Sequence, residues 1–259
     1  MIKDKIPKDY NLFKNILSNR PYLTTNKYYE EYFKKIYALH FFLYNLLSTT
    51  NETTDSFVKY INLAKRDVVI SLDLLNCEHF ESAKRNYRSV IESLFRVLCY
   101  SIKRHIYIER KKKNIYNSSD QLKRLQSMLD THKVSKLTYG ISEELVNSVI
   151  KDDVKKLNSL YSEFSNIVHT SDTSSQVSTD LNTSIHHESS VIKENLDCIF
   201  EVLTYSILVS YFSILLFSQT EVLSQQDFYY FVHLVDGTVR EDHIINISKN
   251  YNENFKIQF

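Results

Sequence analysis

Apolar residues recur every three or four positions through most of this chain, and polar runs interrupt them at only a few places. In "NKYYEEYFKKIYALHFFLYNLL" the residues Tyr32, Phe33, Ile36, Leu39, Leu43 and Leu46/Leu47 fall on one side of a helix. The polar stretch "STTNETTD" (48–55) separates it from a second helix, "SFVKYINLAKRDVVISLDLLNC", with Thr54 or Asp55 placed to cap it. A third follows almost at once. Phe80, Ala83, Tyr87, Val90/Ile91, Leu94 and Leu98 form its stripe, and it runs on into the basic segment "KRHIYIERKKK" (103–113). So short a link between two long helices predicts an antiparallel hairpin. The basic end suits the partial negative charge at a helix C-terminus.

Two shorter helices are expected around "DQLKRLQSML" and "SEELVNSVI". "DDVKKLNSLYSEFSNIVH" then places Val154, Leu157, Leu160/Tyr161, Phe164 and Ile167/Val168 on one side. "TSDTSSQVSTDLNTSIHHESS" (170–190) is too polar to bury itself and reads as a mobile loop. The last long helix, "VIKENLDCIFEVLTYSILVSYFSILLFSQ", is apolar nearly all round. In the tail, Asp236-Gly237 fits a hairpin turn or the end of a helix equally well. The chain therefore divides into an N-terminal arm (1–26), a single helical bundle (27–220) and a C-terminal extension (221–259) that is irregular or hairpin-like.

Composition narrows the fold further. Two glycines and two prolines in 259 residues leave too few turn residues for a parallel α/β fold or a β-sandwich. Both prolines, Pro7 and Pro21, precede the first helix, so nothing beyond them breaks a long one. The fold class is all-α: an antiparallel bundle built around the long hairpin.

Thirty-two basic residues against 31 acidic give a net charge of +1, so no global field draws the protein to nucleic acid or acidic lipid. Any such partner must meet a local patch. Cys77, Cys99 and Cys198 are isolated among apolar helical residues, which argues against a disulfide framework and a zinc site. The start, "MIKDKIPKDYNLF", has no apolar signal core, so a cytoplasmic location is expected.

Nineteen uncharged residues between Glu201 and Glu221 reach the length of a membrane span. Acidic flanks (Asp197, Glu201, Glu221, Asp227) without nearby basic anchors argue instead for a core or dimer helix. Ser206, Ser210 and Ser213, at i, i+4 and i+7, form a groove of small residues that lets another helix approach closely.

Two segments carry a resemblance to a known family. "SAKRNYRSVIESLFRVLCYSI" resembles the central helices of bacterial proteins of the HEPN superfamily, and "LYSEFSNIVHTS" is similar to the helix that ends in their histidine. The likeness covers about residues 55–220. It implies an RNA-targeting effector of a phage-defence or toxin–antitoxin system, a metal-independent ribonuclease acting as a homodimer, with neither cofactor nor metal. The family motif is an arginine with a histidine five residues later. Here Phe164 stands five before His169, followed by Ser165, and Asn166 lies three before the histidine.

The residues themselves suggest a substitute. Tyr161, Ser165 and His169 stack at four-residue intervals, and Arg88 shares a helix face with Glu92, with Arg96 beyond. If the two helices pack together, Arg88 supplies the missing guanidinium. His169 would then act as acid/base and Arg88 would hold phosphate, with Glu92, Asn166, Ser165 and Tyr161 around them. Lys103, Arg104, Arg110, Lys111, Lys112 and Lys113 form the candidate RNA-binding stretch.

Simpler readings stand beside these. Arg88 and Glu92 are also placed for an intrahelical ion pair, and His169 for a helix C-cap. The basic stretch is also an ordinary solvated helix end. His186, His187 and Glu188 only superficially resemble a metal cluster. Most of the 19 tyrosines are spaced for core or interface. Two other functions compete with the RNA effector: a non-catalytic helical module that binds a cognate protein partner, and a membrane-attached helical protein.

Overall fold

A computed structural model describes residues 22–49, 55–131, 133–169, 187–218, 223–235 and 237–251; side chains 55, 56, 167–169 and 225 lie outside that set. Among the described residues the chain is all helical, with a short 3-10 turn, Leu23–Thr25, before nine α-helices. These are α1 (Glu30–Ser48), α2 (Asp55–Asn76), α3 (Phe80–Lys112), α4 (Asp120–Leu129), α5 (Val134–Glu144), α6 (Lys151–His169), α7 (Ser189–Ser218), α8 (Gln225–Leu234) and α9 (Glu241–Asn250).

α3 is the long axis of the bundle and touches α2, α4, α5, α6 and α7. Phe57 near the start of α2 meets Tyr100 late in α3 at 5.4 Å between ring centres, and Arg96 lies over the Tyr60 ring. These pairings require α2 and α3 to run antiparallel. The turn between them is closed by Glu78 in the left-handed conformation (φ 58°). His79 N–H reaches the Leu74 carbonyl and Glu78 N–H the Leu75 carbonyl, a helix stop usually made with glycine. α3 ends in the same way. Asn114 (φ 61°) directs its N–H to the Lys111 carbonyl, and Ile115 N–H bonds the Arg110 carbonyl.

α7 is the apolar centre. α1, α3, α6 and α9 pack against it, and 83% of its most apolar window is buried inside the bundle. It alone among the described helices is long and apolar enough to cross a membrane, and its composition is accounted for by burial. Ser206, Ser210 and Ser213 are fully buried too. The small-residue groove is therefore used within one chain, where it admits neighbouring helices, and is not a surface for a second copy.

Two expectations about the ends need correction. Residues 23–25 belong to the fold, since Leu23 is buried in the core. The tail is neither irregular nor a hairpin: α8 and α9 are helices docked on the bundle. Phe231 stacks on Phe42 of α1 (5.1 Å), and Ile244 and Ile247 of α9 are buried. Gly237 (φ 84°) turns the chain between them, where a side chain would strain the backbone. Ser224 caps α8 by accepting from Asp227 N–H. The rest of the arm (1–21), Asp236, the Thr54 cap with the Asp55 side chain, and most of the polar loop (170–186) lie outside the described residues.

One polar pair lies deep in the core. His40 of α1 and Tyr87 of α3 are both buried, their rings 5.7 Å apart. Because the Ile36 carbonyl, 2.8 Å from His40 Nδ1, can only accept, Nδ1 carries the proton and Nε2 accepts from the Tyr87 hydroxyl. Burial pushes the imidazole down to about 4, and the Ile36 carbonyl offsets this only in part. Above pH ~6.5 the ring is neutral in both states. Between that value and about 4 the unfolded chain takes up a proton that the folded one refuses, so stability falls with pH. His243 works in the opposite sense. Its bond to Asp153 (2.7 Å) raises it, so its contribution is complete at low pH and fades as pH rises through the raised value. We expect urea unfolding to show a loss of about 3 kcal/mol on acidification through the His40 window. The slope should be missing in His40→Leu; an unchanged slope there would assign it to other groups.

Candidate functional site

The core stripe of α6 is Val154, Leu157, Leu160 and Phe164. One position along from the last two, Tyr161 and Ser165 sit at the rim of the core, half-buried and facing α3. On α3, Arg88 follows the buried Tyr87 and occupies the matching rim. Its Nε donates to Ser165 Oγ at 3.0 Å and its Nη2 to the Tyr161 hydroxyl at 3.1 Å. The guanidinium also lies over the Tyr161 ring, 5.2 Å from its centre. Ser165 is oriented for this: its own hydroxyl donates to the Tyr161 carbonyl (2.8 Å), which leaves a lone pair for Arg88.

Among the described residues these are the contacts Arg88 makes. Its partners are neutral hydroxyls, its Nη1 is unused, and the Tyr161 phenolic proton remains to be donated. A half-buried cation with no carboxylate partner among the described residues, beside a spare O–H donor, suits an oxyanion.

His169 is the last residue of α6, one helical turn beyond Ser165, with its side chain outside the described set. Asn166 is exposed and lies about 100° round the helix from Ser165, off the face that meets Arg88. Phe164, at the position where the family motif has its arginine, is fully buried. A guanidinium there would be placed in the hydrocarbon core, where an unpaired charge is costly.

Glu92 needs correction. It does not pair with Arg88; its Oε1 accepts from Arg96 Nη2 at 3.1 Å. Arg96 is nearly buried and also donates to the carbonyls of Leu129 (2.9 Å) and Thr131 (3.0 Å), so it secures the end of α4. Four residues separate Glu92 from both arginines, and the buried one wins because an unpaired charge costs most there. Glu92 is thus part of the scaffold.

The basic stretch divides. Lys103, Arg104 and Arg110 line a cleft of about 780 Å³ between α3, the 115–118 segment and α4. Lys111, Lys112 and Lys113 are exposed at the helix end, and Lys112 pairs with Glu109. Arg110 is buried and donates to the Asn117 carbonyl (3.3 Å), bracing the turn after α3. Lys123, Tyr107 and Tyr116 also line the cleft. Sequence reading missed them because only the packing of α4 on α3 brings them together; the local signal was the Ser119 cap that starts α4.

Other chemistry is not supported by the surroundings. Burial pushes the Cys99 thiol up to about 12 and, with Glu163 adding, Cys198 up to about 11, so neither is a ready nucleophile. His187 bonds the Glu78 carbonyl (3.1 Å) and packs on the Phe80 ring, linking the start of α7 to the α2–α3 turn. Among the described residues no three His, Cys, Asp or Glu side chains converge on a metal-sized point.

No family model matches the chain, and no curated protein or solved structure does either. The functional reading therefore rests on the residues.

Arg96→Ala should cost about 2–3 kcal/mol, because it leaves two carbonyls and a carboxylate short of partners. Arg88→Ala, which releases only hydroxyls at the rim, should cost less than about 1 kcal/mol. Urea denaturation of the two variants checks the division; a larger loss at Arg88 would make it a structural brace.

Proposed function

We propose that this protein is a HEPN-like, RNA-directed effector of the bacterial phage-defence or toxin–antitoxin kind, with the α3–α6 seam as its phosphate-contacting site. The observation that carries this is Arg88 held on Tyr161 and Ser165 of the helix that His169 ends. Metal-independent RNA cleavage needs a base for the 2′-hydroxyl, an acid for the leaving oxygen and a cation for the phosphorane. Arg88 supplies the cation and Tyr161 a hydrogen-bond donor, while His169 is the acid/base. Ser165 positions the guanidinium, its proton being already committed to a carbonyl. The working unit in this reading is a cytoplasmic homodimer that pairs two such seams.

A second reading is favoured by Phe164. With the motif arginine replaced by a core phenylalanine, the protein is a non-catalytic relative that holds RNA phosphate at Arg88, or a partner protein elsewhere, without cleaving.

The test is incubation of single-stranded RNA with wild type, Arg88→Ala and His169→Ala in the presence of a chelator. The catalytic reading expects cleavage by wild type and a loss of about 100-fold or more in each variant, with unchanged melting. No cleavage, but RNA affinity weakened about fivefold or more by Arg88→Ala, supports the non-catalytic version. RNA affinity unaffected by Arg88→Ala removes the seam from both.

A further inference from the structure

The cleft between the C-terminal half of α3 and α4 is separate from that seam. Lys103 lies fifteen residues beyond Arg88, about 22 Å along the helix. The walls of the cleft combine two kinds of group. Lys103, Arg104, Arg110 and Lys123 line it together with the carboxylate of Asp130, which accepts from the Gln126 amide at 3.0 and 3.1 Å. Among the described residues the Lys103 ammonium donates to the neutral side-chain carbonyl of Gln126, whose amide in turn reaches Asp130, so Lys103 meets that carboxylate only through Gln126. Among the described residues the Lys123 ammonium pairs with Asp120, at 3.3 Å, with both side chains largely in water. Such a pair is easily exchanged for a phosphate.

The second kind of group is aromatic. Tyr107 and Tyr116 are 49% and 66% exposed at the cleft. Tyr100 backs it, half-buried against Phe57 and Phe217. Exposed tyrosines contribute nothing to the core, whereas a ring beside a cation is the usual means of holding a stacked base next to its phosphate. Asn117, Ser118 and Ser127 add hydrogen-bonding groups for a base edge or ribose. The volume suits a ligand of that size.

The walls are also fixed. Arg104 lies on the Phe217 ring (4.3 Å) and donates to the Phe217 carbonyl (3.2 Å), tying the cleft to the end of α7. Arg110 and the Asn114 turn set the 115–117 segment. A preformed cleft spares the ligand much of the ordering cost of binding.

We propose that this cleft binds one nucleoside-phosphate unit, its base stacked on Tyr107 or Tyr116 and its phosphate held by Lys103 and Lys123. Arg104 and Arg110 act as scaffold. The unit is either a free nucleotide or one residue of an RNA strand.

Calorimetric titration of the full chain with AMP, adenosine, inorganic phosphate and an adenylate pentamer tests it. AMP or the pentamer should bind more tightly than adenosine or phosphate by about tenfold. With the seam removed by Arg88→Ala, equal affinity for AMP and the pentamer identifies a free nucleotide as the ligand, and a pentamer about tenfold tighter identifies a strand. Lys103→Ala with Lys123→Ala should weaken the favoured probe about tenfold, and Tyr107→Ala with Tyr116→Ala about as much. The corresponding double Phe variant should retain binding. All these positions lie at the surface of the cleft, so melting should be unchanged. Arg88→Ala should leave AMP binding intact, which separates this site from the seam. In the Arg88→Ala chain, no heat at about 1 mM probe, phosphate binding as well as AMP, or affinities indifferent to both double alanine variants would each overturn the proposal.

Discussion

A thirty-residue helix that is apolar nearly all round has to be covered on every side, because each exposed apolar side chain forfeits about 1.5–3 kcal/mol of burial. α7 imposes that condition here. α1, α3 and α6 meet it by lying against different faces, and α9 completes the cover. The polar atoms of α7 that are buried with it are partly satisfied by the helix itself: Thr204 and Ser213 donate to carbonyls four residues back. The seam and the cleft are both consequences of this arrangement. α3 and α6 face one another at Arg88 because both border α7, and the cleft is walled where α7 ends on Arg104.

Much of this was legible in the residues. Helical periodicity places α1, α2, α3, α6 and α7 within a few positions of their true bounds, since each has a long apolar stripe and no interior proline. The four-residue spacing of Tyr161 and Ser165 marks the face of α6 that meets Arg88, because side chains four apart must share a side. What could not be read was competition between equivalent local choices. Glu92 lies four residues from two arginines, and only the burial of Arg96 under the end of α4 decides between them. The tail was misread for a related reason. α8 and α9 have ten residues each, too short for periodicity to outweigh the turn suggested by Gly237. Their docking on α1 and α7 is tertiary information, as is the cleft, whose tyrosines and lysines come from three separate segments.

The near absence of glycine has a local cost in this fold. Glu78 and Asn114 take up the left-handed backbone that glycine adopts freely, each at roughly 1 kcal/mol. Asn is the residue that tolerates it best after glycine, and it stands at the end of the longest helix. Glu78 is the less expected case. Its carbonyl is held by His187, so the turn is clamped from the start of α7 as well as from within.

The position of α7 late in the chain also bears on how the protein is made. During synthesis the helices up to His169 emerge first, with the apolar surfaces that α7 will cover still open to water. The 49 residues from Thr170 to Ser218 take roughly 2–10 s to translate. For that interval the nascent chain presents a greasy trough to whatever is near the ribosome exit. Faster elongation through this stretch shortens that exposure, and slower elongation prolongs it.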